Sequence, residues 1–90
     1  MFEKTLEIRG IPVTHLVSYL VECGGIVQSE NGPIIVVGEG WQAEMLREET
    51  VTITSRFLVN AVFIHFRSDD EERFSRLMKQ FRMKVLRVGG

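Results

Sequence analysis

Phe57-Leu58-Val59-Asn60-Ala61-Val62-Phe63-Ile64-His65-Phe66-Arg67, running straight into Ser68-Asp69-Asp70-Glu71, decides the fold. The first part is rich in β-branched and aromatic residues and is apolar at both parities. Leu58, Val62, Ile64 and Phe66 share one face, and Val59, Ala61 and Phe63 share the other. That pattern predicts a long strand covered on both sides. The second part has the spacing of a capping box, with Ser68 expected to accept from the Glu71 N–H while Glu71 reaches back. Asp69, Asp70, Glu71 and Glu72 stand at the positive end of the coming helix, and Arg73, Arg76, Lys79 and Arg82 lie toward its negative end, as the helix dipole favours. Phe74, Leu77, Met78 and Phe81 form its apolar stripe, and Glu72 and Arg76 make an i,i+4 pair.

Upstream, Thr50 to Thr54 is a β-branched run. Trp41, Ala43 and Met45 alternate with Gln42, Glu44 and Leu46 as in a strand, yet the same residues form helices well, so Trp41 to Glu49 stays open between the two. Ile26 to Glu30 and Pro33 to Val37 flank Asn31-Gly32, a strong hairpin signal. Pro12 suits the first position of a helix whose stripe is Val13, Leu16, Val17, Leu20 and Val21, and Gly24-Gly25 stops it. Phe2, Leu6 and Ile8 alternate with Glu3, Thr5, Glu7 and Arg9 in a half-buried first strand. Met83 to Val88 reads as a last short strand before Gly89-Gly90. The expectation is an α+β fold, β-α-β-β-β-β-β-α-β, with two helices on an antiparallel or mixed sheet of about six or seven strands.

Composition bounds the rest. The chain has 90 residues and 44 % hydrophobic content. Residues 1–90 therefore make one domain, since a second core needs roughly another hundred residues. A formal charge of −1 and a pI near 6.1 argue against nucleic-acid binding. No run approaches the roughly 20 apolar residues of a membrane span, and the alternating opening is not a signal peptide. A single cysteine, Cys23, forms no intrachain disulfide, and a reducing cytoplasm is the expected setting.

The chemical motifs are few. Gly38-Glu39-Gly40-Trp41-Gln42-Ala43 fits the dinucleotide fingerprint, but from Thr50 to Ser68 there is no acid to hold a ribose, so a glycine-rich turn is the better reading. His15, Cys23 and His65 match no zinc spacing, and no metal or other cofactor is expected. The sequence-adjacent acids Glu48-Glu49 and Asp69 to Glu72 read as solvated loop and cap residues, and no catalytic residue is assigned.

Charge is uneven along the chain. Residues 1–45 hold two bases and six acids, whereas 46–90 hold nine bases and six acids. From Arg73 onward there are six bases and no acid. Helix-dipole complementarity explains this, and the sharper reading makes Arg73, Arg76, Lys79 and Arg82 a docking patch for an acidic protein partner. Two helices cover only one face of such a sheet, so either one helix lies on each face or another subunit packs on the uncovered one, and self-association is the more economical answer. Leaving four large side chains wet on that face would forgo roughly 1.5–3 kcal/mol each. A homo-oligomer is therefore expected, with Val59, Ala61 and Phe63 meeting the partner and His65 at the rim.

Leu86-Arg87-Val88-Gly89-Gly90 resembles the end of ubiquitin-like proteins and of sulfur carriers such as MoaD and ThiS, in which the terminal glycine carboxylate is adenylated and becomes a thiocarboxylate or amide. Gly89 and Gly90 would be the carrier terminus. The layout as a whole is similar to the TBP-like C-terminal domain of MoaD-related, molybdopterin-synthase small-subunit-like proteins: a strand, a helix, a run of antiparallel strands and a second helix. That resemblance implies a non-enzymatic protein- or ligand-binding module accessory to molybdopterin or sulfur-carrier metabolism. A sulfur carrier using Gly90 is the alternative. A small oligomeric enzyme, with polar residues converging on Trp41, Tyr19 or His65 between subunits, is a third.

Overall fold

The two-sided run becomes strand β5 (Phe57–Ser68), with the other elements arranged around it: β1 (Phe2–Arg9), α1 (Val13–Glu22), β2 (Ile26–Val27), β3 (Ile35–Gly38), β4 (Trp41–Thr54) and α2 (Glu71–Gly89). The computed structural model describes residues 1–28 and 32–89, with side chains through Leu86. The fold is α+β. Five strands form one antiparallel sheet in the order β1-β5-β4-β3-β2.

Both helices lie on one face. Val62, Ile64 and Phe66 of β5, Trp41, Ala43 and Met45 of β4, and Val36 of β3 bury there against Leu16 and Leu20 of α1 and Leu77, Met78 and Phe81 of α2. Phe66 meets Phe81 edge-on at 5.3 Å between ring centres. Trp41 sits over glycine: a Cβ on Gly38 would run into its indole, and one on Gly25 would come within 2.8 Å of it. Lys84 Nζ, 3.1 Å from Glu22 Oε1, ties the far half of α2 to the end of α1.

The structure corrects the expected elements in four places. The two strands expected around Trp41–Leu46 and Thr50–Thr54 are one strand, β4. A bulge at Leu46, between the pairs Met45↔Ile64 and Arg47↔Phe63, lets the charged Arg47-Glu48-Glu49 continue the ladder. Met83 to Val88 is helix, not strand. No glycine or proline interrupts it, and Val85 continues the stripe at i+4 from Phe81, so α2 runs on to Gly89.

The second helix is capped by Asp70, not Ser68. Glu72 N–H and Arg73 N–H donate to Asp70 Oδ1 at 2.9 and 3.4 Å, and Phe74 N–H donates to Asp70 O at 2.9 Å. With Asp70 at the cap, Arg73 occupies the position a capping box reserves for Glu. Ser68 is instead buried at the end of β5. Its hydroxyl donates to Gly40 O at 2.6 Å and accepts from Asp70 N–H at 3.1 Å. Finally, Pro12 is the cap residue of α1, one position earlier than expected, with its carbonyl accepting from His15 and Leu16 N–H. The Ile26 arm pairs with β3 as expected (Ile26↔Val37, Val27↔Val36), while the Asn31-Gly32 turn falls on Asn31, outside the described residues.

Candidate functional site

The β4–β5 hairpin outgrows its neighbours. β3 pairs with β4 only over Trp41–Glu44, and β1 pairs with β5 only from Ala61 onward. Beyond those points the two strands leave the sheet as a two-stranded arm. Its base is pinned by Asn60, whose Nδ2 donates to Ile11 O at 2.8 Å and to Glu48 Oε2 at 2.9 Å. The polar residue that interrupts the apolar run of β5 is thus the anchor of the arm. Toward the tip, Ile53, Phe57 and Leu58 are 49, 57 and 61 % exposed. Leu58 was expected to bury with Val62, Ile64 and Phe66. It shares their face but lies past the end of the helix layer. The signal for this was available in element lengths, because strands this long have no equally long neighbours.

Val59, Ala61, Phe63 and His65 lie on the face opposite the helices, the parity expected from the sequence. Ala61 is buried, and the other three are half-buried. The Arg47 guanidinium stacks 4.1 Å from the centre of the Phe63 ring and also pairs with Glu49 at 2.8 Å. Glu3 Oε1 lies 3.3 Å from His65 Nε2 and 3.7 Å from Arg67 Nε, and Arg9 pairs with Glu7 at 2.8 Å. Long charged side chains of the same chain therefore cover part of this apolar strip.

The basic run of α2 is divided. Arg73 pairs with Glu39 (3.4 Å) and Asp70 (3.6 Å), and Arg76 pairs with Glu72 (3.5 Å). Both border a cleft of about 240 Å³ that also includes Cys23 and Trp41. Lys79 and Arg82 line a different groove, shared with Lys4, Met83 and Leu86. At about 100° per residue, Arg73 and Arg82 project from opposite sides of the helix.

Burial raises the Cys23 thiol pKa and neighbouring Glu22 adds to the rise, with Lys84 opposing it. Cys23 is thus held in the neutral form, which is a poor nucleophile. Trp41 belongs to the helix-side core, while His65 lies on the other sheet face. Gly38-Glu39-Gly40 turns β3 into β4. No helix follows it to receive a pyrophosphate. Among the described residues, no group of His, Cys, Asp and Glu is placed to hold a metal ion, and no helix is long and apolar enough to cross a membrane. Gly89 is the last helical residue of α2, and Gly90 lies outside the described residues.

No curated protein matches the chain. The family model for archaeal MoaD-like proteins matches residues 4–90, from the first strand to the final glycine, and the chain belongs to that family.

Proposed function

We propose that this protein is a non-enzymatic binding module accessory to molybdopterin or sulfur-carrier metabolism, and that the β4–β5 arm is where its partner docks. Membership of the MoaD-like family supports the metabolic setting. The observation that carries the docking site is the exposure of Ile53, Phe57 and Leu58 together at the end of the arm. A two-stranded ribbon is marginal in water by itself, and exposed large apolar side chains on both of its faces mark an interaction surface. A protein partner with an apolar pocket would supply the missing third layer.

Calorimetric titration tests this, using an E1-like activating enzyme and a molybdopterin-synthase large subunit as the two candidate partners. The parent chain is expected to bind one of them. Phe57→Asp and Leu58→Asp are expected to weaken binding by roughly tenfold or more, because an anchor leaves its pocket. Absence of binding to both partners, or equal binding by the variants, would overturn the reading.

Membership of the MoaD-like family also supports a second reading, in which Gly90 itself carries sulfur. Intact mass after incubation with the activating enzyme, ATP and a sulfur donor tests it. Replacement of one oxygen by one sulfur is the expected mark, and an unchanged mass removes it. In that role the end of α2 would have to unwind to present Gly89-Gly90 as an extended strand.

A further inference from the structure

We infer that the chain forms a two-fold dimer by pairing β1 with β1 of a second copy, in the register centred on Leu6. This stands apart from the docking reading, because the arm lies beyond the reach of β1.

β1 is an edge strand, with no strand on its outer side among the described residues. Gly10 N–H donates to Asn60 O at 2.9 Å, and the β1–β5 register is unbroken from Phe2 to Arg9. Hydrogen-bonded and non-bonded positions alternate in an antiparallel pair. The even residues of β1 therefore bond to β5. Glu3, Thr5, Glu7 and Arg9 turn their N–H and C=O groups to the open edge, and all four are exposed. This is a full template for another strand.

Charge selects both the occupant and the register. Antiparallel self-pairing with both helix layers on one side requires residues of equal parity to oppose. Centred on Leu6, Glu3 opposes Arg9 of the copy and Thr5 opposes Glu7, each twice by symmetry. Centred on Thr5, Glu3 opposes Glu7. Centred on Glu7 or on Lys4, that residue opposes its own copy. Centred on Ile8, Glu7 opposes Arg9, but Glu3 and Thr5 are left outside the strand pair. Only the Leu6 register pairs all four outward residues, with opposite charges together and no like pair.

A strand edge alone is small against the roughly 800 Å² per partner of a stable interface. The helix layer supplies more. Beside β1 runs a groove lined by Phe74, Met78, Met83 and Leu86 of α2 and by the bases Lys4, Lys79 and Arg82. Met83 and Leu86 are 56 and 72 % exposed. The same two-fold brings a second α2, reversed in direction, alongside this groove.

Sedimentation velocity of the full chain at micromolar concentrations is the test. The expected species has twice the 10.3 kDa chain mass. Thr5→Pro removes an N–H that points only to the free edge, so it is expected to give a folded monomer. Should that variant fail to fold, charge exchange decides. Arg9→Glu is expected to weaken the dimer roughly tenfold or more by setting Glu against Glu3, and adding Glu3→Arg is expected to restore most of the loss. A parent that sediments as a monomer, a folded Thr5→Pro that remains dimeric, or an Arg9→Glu dimer as tight as the parent would each overturn the proposal.

Discussion

Replacing Ser68 with Ala is expected to destabilise the domain more than replacing the true helix cap, Asp70. Ser68 is 4 % exposed, and its hydroxyl serves two backbone groups from separate elements. The Gly40 carbonyl in the β3–β4 turn accepts its proton at 2.6 Å, and the Asp70 N–H donates to it at 3.1 Å. Alanine leaves both groups unpaired, at about 1 kcal/mol net for each bond, or about 2 kcal/mol together. For a domain of this size that corresponds to a fall in Tm of about 10 °C. Asp70→Ala removes an exposed cap worth about 1 kcal/mol. Its ion pair with Arg73, in which the two side chains are 50 and 41 % exposed, adds little. Urea unfolding of both variants, with m compared to the parent, measures the difference. If Asp70→Ala costs as much as Ser68→Ala or more, then Ser68 does not lock the turn to the helix and the reasoning fails.

Gly38→Ala should cost about 1–3 kcal/mol, because a Cβ there collides with the Trp41 indole; tryptophan emission should shift to the red, and an unchanged midpoint counts against this packing. Arg47→Ala should cost about 0.5–1 kcal/mol through loss of the stack on Phe63, and the cost should survive high salt; a cost that vanishes in salt assigns the effect to the Glu49 pair instead. Alkylation of Cys23 should be slower at neutral pH than that of a free cysteine and should accelerate only above the ordinary thiol range, since burial raises its pKa. Because the folded state holds that proton more tightly, the thiol's contribution to stability is present at neutral pH and is lost as pH rises through the raised value; stability that grows over that range for the parent but not for Cys23→Ala would contradict the direction.

Much of the architecture was legible because periodicity carried it. The 3.6-residue stripes located both helices, and the bulk of Val62, Ile64 and Phe66 pointed to the face the helices cover, with Val59, Ala61, Phe63 and His65 on the other; that both helices share one face comes from the structure. Where local signals competed, the sequence was ambiguous. Ser68 and Asp70 are both good caps, and only the burial of Ser68 against the β3–β4 turn decides between them. The three charges Arg47-Glu48-Glu49 look like a break, but the Leu46 bulge restores the alternation, a tertiary effect without a local code. The tip of the arm was missed because burial depends on how far neighbouring strands extend, and no single strand contains that information. The four bases of α2 looked like one patch in the linear sequence, but the turn of the helix separates them.

The order of the sheet also has a temporal side. β1 is synthesised before the other four strands, yet its partner among the described strands is β5, with Phe2 opposite Ser68. At about 5–20 residues per second, β1 waits roughly 3–10 s for β5 to be made. Meanwhile Leu6 and Ile8 lack Ile64 and Val62, the residues they oppose in the sheet. The hairpins β2–β3, β3–β4 and β4–β5 need only short loops to close and form before the long-range β1–β5 pair. Of these five strands, the first made is therefore the last to be stitched in. Nascent chains stalled before Phe57 are expected to be cut readily by protease within β1, and chains stalled well after Ser68 has emerged are expected to resist; equal cutting of both would show that β1 finds shelter without β5.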